Sequence, residues 1–413
     1  MSNTLSAHQT TLLSLVANEL FDANFQYDKN VDYKLLVKEA RQQAVDLFVQ
    51  LDKLNGVPEQ ALIKHEQLKL SVINHNLNVE FQHDYLNKTL QNNKIEYCIL
   101  KGCASQFYYP KKWLRSMGDV DFLVRYEDLD KTSSVFESEG FNKFLEEHEC
   151  HVVLKKDNTH LEMHFEVAGM PKDYAGEKIK EYLNDIFDKS EIVEQDKIKY
   201  FKPSHFHHGI IITLHTYHHM LSEGIGLRHL CDLAVFFNSF TNDEFIDIFE
   251  EKFKDIGLWK FIQTLACVCS KYLGLPQKAW FSDSLIEDKL LNDIICDIFS
   301  GGNFGVKDGT RTKQGLAISD RGKSGVKEKG KCRTLFSNIN KITCSKWPFY
   351  KKAVILRPFG WLCLAISYGF KVLFKKRKGF NAIKVINEAD KRKAIYKQFQ
   401  LFEREEIKDG NKN

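Results

Sequence analysis

Arg115-Ser116-Met117-Gly118-Asp119-Val120-Asp121-Phe122-Leu123-Val124 decides how the chain is read. Alternating apolar and acidic residues that end in Phe-Leu-Val predict an extended strand, in which successive side chains point to opposite faces. Asp119 and Asp121 then share one face, while Val120 and Phe122 form an apolar platform behind them. Two carboxylates held side by side invite a divalent cation.

Upstream, Tyr97-Cys98-Ile99-Leu100-Lys101-Gly102 reads as a short buried strand that ends on a glycine, followed by a short helix over Cys103 to Tyr109. Glycine at a strand-to-helix junction lets backbone N–H groups approach a phosphate with no Cβ in the way. Downstream, His160-Leu161-Glu162-Met163-His164-Phe165-Glu166-Val167 alternates again and presents Glu162, His164 and Glu166 on one strand face, supplying a third carboxylate.

This order (Leu-Lys-Gly, a tyrosine-bearing helix, Arg-x-x-Gly-Asp-x-Asp-Phe-Leu-Val, a helix ending at Gly140-Phe141, then Glu-x-His) resembles the nucleotidyltransferase superfamily with the DNA polymerase beta-like fold, and most of all its bacterial branch labelled nucleotidyltransferase family protein. The matching core runs from Ile95 to Val167, with weaker similarity to about Phe236. The resemblance implies an α/β (α+β) fold: a small mixed-sheet core flanked by N- and C-terminal helical regions. It also implies an Mg²⁺-dependent transfer of a nucleoside monophosphate from a nucleoside triphosphate to an acceptor hydroxyl, with two ions held by Asp119, Asp121 and Glu162. Lys101, Gly102, Cys103 and Arg115 would bind the nucleotide. The superfamily has Gly-Ser where this chain has Gly102-Cys103; a thiol is a weaker donor than a hydroxyl, and Lys101 can supply as a cation what the hydroxyl does elsewhere. Oxygen donors suit Mg²⁺, whereas zinc prefers His and Cys.

The chain has 413 residues, 43% of them hydrophobic, and a net charge of +4, too small to imply a nucleic-acid partner. Its ten cysteines show no Cys-x-x-Cys pair and follow no secretory leader, so reduced thiols in the cytoplasm are expected. We expect an N-terminal helical cap (1–93) with helices over Ala7 to Ala23, Tyr33 to Leu54 and Pro58 to about Asn92 packed on the core, a nucleotidyltransferase core (94–200), a helical domain (201–300), a flexible basic loop (301–331) and a C-terminal helical segment (332–413).

After the core, His205, His207, His208, His215, His218 and His219 precede Gly226-Leu227-Arg228-His229-Leu230-Cys231-Asp232. By resemblance, His215, His219, Arg228 and Asp232, with His164, line the acceptor side of the cleft; Arg228 and Asp232 equally fit an i,i+4 helix ion pair. The acceptor stays open between a sugar or polymer intermediate, a protein and, less favoured, RNA. Ala353 to Phe374 is apolar and aromatic and precedes Lys375-Lys376-Arg377-Lys378, yet its uncharged run, Pro358 to Phe370, is too short to span a bilayer. It reads as a core or partner helix, with peripheral contact at the inner membrane surface through 353–378 as the alternative. Two other functions compete with catalysis: a catalytically inactive nucleotide-binding module, and a membrane-surface scaffold of a cell-surface biosynthesis system.

Overall fold

The computed structural model describes residues 4–144, 150–282, 286–318, 339–340, 342–344, 346–373 and 382–403. Helices α1 (Ala7–Phe21), α2 (Tyr33–Gln42) and the 34-residue α3 (Glu59–Asn92) lead into β1 (Tyr97–Ile99), α4 (Cys103–Gln106), β2 (Val120–Val124), α5 (Leu129–Ser138), β3 (Asn142–Phe144), β4 (His151–Lys156) and β5 (Thr159–His164). Next come α6 (Tyr174–Leu183), the hairpin β6 (Glu191–Gln195) and β7 (Ile198–Lys202), and α7 (His205–Leu221), α8 (Leu227–Asn238), α9 (Asn242–Phe245), α10 (Glu251–Asp255), α11 (Trp259–Leu273), α12 (Asp288–Gly301) and α13 (Arg311–Ile318). The described C-terminal helices are α14 (Arg357–Leu373) and α15 (Ala382–Lys397).

The main sheet runs β1-β2-β5-β4-β3, with β2 and β5 parallel and the other neighbours antiparallel. This is the α+β arrangement with helical flanks that the sequence predicts. Val120, Phe122 and Val124 from β2, with Leu161 and Met163 from β5, face a core closed by α3 and α5. Cys98 of β1 and Leu123 of β2 face the other way, into a larger core built mostly by helices α1, α2, α7, α8, α11 and α12. The acid-bearing strand is therefore clamped between two apolar masses.

Several elements differ from the sequence reading. The second expected helix stops at Gln42 because Ala44 takes a left-handed conformation (φ 57), and the Leu47-Phe48-Val49 run continues as short 3₁₀ turns buried in the helical core. The helix expected over Cys103 to Tyr109 is only α4. Helices α1 and α2 pack on each other, and α1 on α11, so of the N-terminal cap it is α3 that lies along β2 and β7. The stretch expected as a basic loop begins with folded chain: α13 buries Arg311 and Gln314, while residues 319–331 and Lys375–Lys378 lie outside the described residues.

Arg311 and Arg392 converge on one buried carboxylate. Arg311 Nη1 reaches both oxygens of Asp297 at 2.8 and 2.9 Å, and Tyr396 Oη donates to Asp297 Oδ2 at 2.9 Å. Arg392 Nε lies 3.7 Å from the same Oδ2, and its Nη2 donates to the Met220 carbonyl at 2.8 Å. This knot fastens α12, α13 and α15 to the end of α7.

Candidate active site

Parallel pairing in register sets Asp121 directly beside Glu162. Leu100 N–H donates to the Asp121 carbonyl at 3.0 Å, which holds the end of β1 against β2 and brings Lys101 Nζ to 2.7 Å from Asp121 Oδ1. His164 Nε2 lies 3.1 Å from the same oxygen and 3.7 Å from Glu162 Oε2. Asp119 sits one residue before the strand, next to Glu162. Ligand atoms of Asp121, Glu162 and His164, and likewise those of Asp119, His160 and Glu162, lie within 4.8 Å of one another, so either group can hold a metal ion.

The electrostatics are uneven. Burial, then the neighbouring Asp121 and Glu162 carboxylates, push the Asp119 carboxyl up to about 7 despite the opposing Lys101 charge. Burial would raise Asp121 too, but Lys101 and His164 outweigh it and hold Asp121 well below the usual carboxylate range. For His164, burial favours the neutral ring, yet bonds to Asp121, Cys150 and Glu162 prevail and hold it up to about 10 with no ion bound, so the ring would ligate a metal only by losing that proton. An anionic cluster with one strained member is the setting that a divalent cation relieves.

Gly102 turns the chain from β1 into α4 at φ 59 and ψ −118, a region essentially closed to other residues. A Cβ there would also lie 2.8 Å from Nε2 of His83. His83 is fully buried, donates from Nδ1 to the Val79 carbonyl at 2.8 Å, and is driven neutral by burial, its pKa lowered to about 4. We expect Gly102→Ala to cost about 1–3 kcal/mol in thermal unfolding. Adding His83→Ala should remove the clash but not the backbone strain, recovering only part of that loss.

Arg115 does not face the cleft as a free cation. Its guanidinium forms a two-pronged pair with Asp232 of α8, Nε to Oδ1 and Nη2 to Oδ2 both at 2.8 Å, and Tyr109 Oη donates to Oδ1 at 2.7 Å. Asn76 of α3 bonds the Arg115 carbonyl at 3.0 Å and accepts from Met117 N–H at 2.9 Å. These contacts brace the turn that delivers Asp119. Asp232 is thus spent on Arg115, and Arg228 has no carboxylate within ion-pair distance among the described residues; its Nη1 donates to the Ser116 carbonyl at 3.3 Å.

The acids open onto a cleft of about 420 Å³ that Lys101, Gly102, Ser105 and Arg115 also line. The facing wall carries His215, Thr216 and His219 of α7, Arg228, His229 and Asp232 of α8, and Asn303 and Phe304 from the loop after α12. Burial pushes His215 and His229 well below the ordinary histidine value, so both are neutral donors or acceptors here.

Of the residues singled out from the sequence, Asp119, Asp121, Glu162, Lys101, Gly102, Arg115, His215, His219, Arg228 and Asp232 meet in this one cleft. Cys103 does not line it: its thiol lies in the sheet core, 1% exposed, and burial raises its pKa beyond any reactive range. Ser105, two residues on, borders the cleft but is 2% exposed, and its hydroxyl pairs with Nε2 of buried His208 at 3.5 Å. His164 stands among the acids as a buried partner of Asp121, away from the α7–α8 wall. Sequence reasoning missed Ser105, His229, Asn303 and Phe304. For Ser105 the signal was the alternation of α4 faces, and for His229 its position next to Arg228.

A family model described as "Uncharacterised nucleotidyltransferase" matches residues 29–274, more than half of the chain. The chain belongs to this nucleotidyltransferase family. No curated protein matches it. The family stretch contains the acids, Gly102 and helices α7 and α8, and it ends before α12, so Asn303 and Phe304 come from outside it.

Proposed function

We propose that the chain is a nucleotidyltransferase that moves a nucleoside monophosphate from a nucleoside triphosphate to an acceptor hydroxyl. The observation that carries this reading is the register-locked pair Asp121 and Glu162, with Asp119 beside it, facing a cleft walled opposite by Arg228 and neutral histidines. The acceptor oxygen attacks the α-phosphorus, the bond to the bridging oxygen breaks and pyrophosphate leaves. Asp119, Asp121 and Glu162 would hold two Mg²⁺ ions, which when bound neutralise charge on the attacking and leaving oxygens. Glu162 accepts the proton of the attacking hydroxyl. Lys101 and the backbone at Gly102 and Cys103 hold the departing phosphates. Incubating the protein with each α-labelled nucleoside triphosphate and a cell extract, with and without Mg²⁺, tests the reading. Mg²⁺-dependent label on an acceptor supports it.

A second reading is a module that holds nucleotide without turnover. What favours it is Asp121, which already has Lys101 and His164 as cationic partners. Nucleotide binding with no labelled acceptor in any extract would select it.

The acceptor pathway is open, but one surface bears on location. No helix among the described residues is long and apolar enough to cross a membrane. In and just before α14, Ile355 (93% exposed), Phe359 (63%), Leu362 and Ile366 form one exposed apolar stripe, flanked by exposed Lys351 and Lys352. Among the described residues the stripe does not close a core, and its chemistry fits an anionic lipid surface. We expect the full chain to float with vesicles containing anionic lipid and not with zwitterionic ones, and the double variant Ile355→Asp, Phe359→Asp to stay at the bottom of the gradient. A full chain that never floats would leave this face to a protein partner.

A further inference from the structure

The loop Gly301-Gly302-Asn303-Phe304-Gly305 places an aromatic ring where an apolar side chain has no structural reason to be. Phe304 is 41% exposed and lines the cleft, and its backbone is left-handed (φ 52, ψ 35) between Gly302 and Gly305, which also have positive φ. Non-glycine residues avoid that region, and bulky ones most of all. Backbone preference does not explain a phenylalanine here.

The ring is nonetheless firmly held. Its centroid lies 4.8 Å from that of His219 and 5.2 Å from that of His229, and the Arg228 guanidinium sits 5.6 Å from it. Asn303 presses on Gly226, where a Cβ would come within 2.7 Å of the Asn303 side chain. Lys307 N–H donates to the Gly301 carbonyl at 2.9 Å, and Lys307 Nζ reaches both oxygens of Glu39 at 2.9 Å. The loop is a fixed platform.

Beside the ring, a donor and an acceptor lack partners. Gly226 N–H points to His229 Nδ1 at 3.3 Å, so Nδ1 is the acceptor and the proton of this neutral ring sits on Nε2. That Nε2 is buried with no hydrogen-bond partner among the described residues, as is Asn303 Oδ1; His229 is 3% exposed. Buried polar groups left unpaired call for a ligand that pairs them.

A planar heterocycle with both a donor and an acceptor on its edge matches this set: it stacks on Phe304, meets Arg228 and pairs with Asn303 and His229. Phosphates would be held at the opposite wall, by Lys101, Gly102 and the acids. Resting on the nucleotidyltransferase reading, we propose that Phe304, Arg228, Asn303 and His229 form the subsite for the base of the nucleoside triphosphate. The base is thus read by residues that lie partly outside the family stretch.

The test compares two probes on the full chain by calorimetry with Mg²⁺: each nucleoside triphosphate, and inorganic tripolyphosphate, which has the phosphates and no base. Phe304→Asn removes the ring while tolerating the left-handed backbone, and Phe304→Tyr keeps the ring. We expect Phe304→Asn to raise Kd for the best-bound nucleoside triphosphate by about tenfold or more, Phe304→Tyr to stay near wild type, and tripolyphosphate to bind all three proteins alike. Equal losses for both probes would make the ring a purely structural element and overturn the proposal, as would an unchanged nucleotide Kd in Phe304→Asn. Wild type that binds tripolyphosphate and nucleotides equally well would also overturn it while leaving the phosphate end standing. Binding of neither probe would remove the nucleotidyltransferase reading together with this one.

Discussion

Asp121→Asn should lower nucleotidyl transfer by at least about a thousandfold, the loss of about 4 kcal/mol of charge stabilisation at the reacting phosphate. Asp119→Asn should cost as much activity, yet the two variants should differ in stability. Asp121 is the shared partner of Lys101 and His164, so its neutralisation leaves buried His164 and partly exposed Lys101 without their common anion and lowers the melting temperature. Asp119 is the strained member of the cluster. Between the ordinary carboxyl value of 3.8 and its folded value of about 7, the folded chain keeps a proton that the unfolded chain has lost. Metal-free stability therefore falls through this group as pH rises across that window. Asp119→Asn removes the fall, so its metal-free melting temperature should match or exceed wild type at pH 8. Transfer assays beside thermal scans in a chelator check both halves; a destabilised Asp119→Asn would mean that its carboxylate is held by contacts rather than crowded by neighbours.

Asp297→Ala should have the largest effect on stability, about 3–5 kcal/mol, because it strands Arg311 and Arg392, both at 1% exposure, without their common anion. For a chain of 413 residues, whose unfolding entropy grows with length, that is a fall of about 3–6 °C in melting temperature. The surface pair Lys271–Asp288, 2.6 Å apart with Asp288 exposed, is the control: Asp288→Ala should change stability by less than about 1 kcal/mol. Urea unfolding of both variants separates a buried network from a mere count of ion pairs.

Much of this was legible in the chain because alternation is a local signal. The strand pairs around Asp119-Val120-Asp121 and Glu162-Met163-His164 follow from period-2 patterning, and the apolar members do line the core. What was not legible depends on which distant residues meet. Arg228 and Asp232 stand four apart on one helix and read as an ion pair, but Asp232 goes to Arg115, far away in sequence, because the turn before β2 lies against the first half of α8. Cys103 stood where the resemblance puts a phosphate-binding hydroxyl, and only the orientation of α4 shows its thiol turned to the core. Phe304 was lost in a stretch rich in glycine and lysine with no apolar period; the usable sign was a lone aromatic among three glycines.

The knot at Asp297 also sets an order of events. Synthesis delivers the acids of β2 and β5 first, then α7 and α8, and the loop bearing Phe304 later still. Arg392, the residue that ties α15 to Asp297 and to the end of α7, emerges after all of these. Domains begin to fold while the ribosome is still at work, so a nascent chain carries its reactive carboxylates well before the opposite wall is fastened. The cleft reaches its final shape late, and an early stop between α13 and α15 yields a protein with the acids in place and that wall untied.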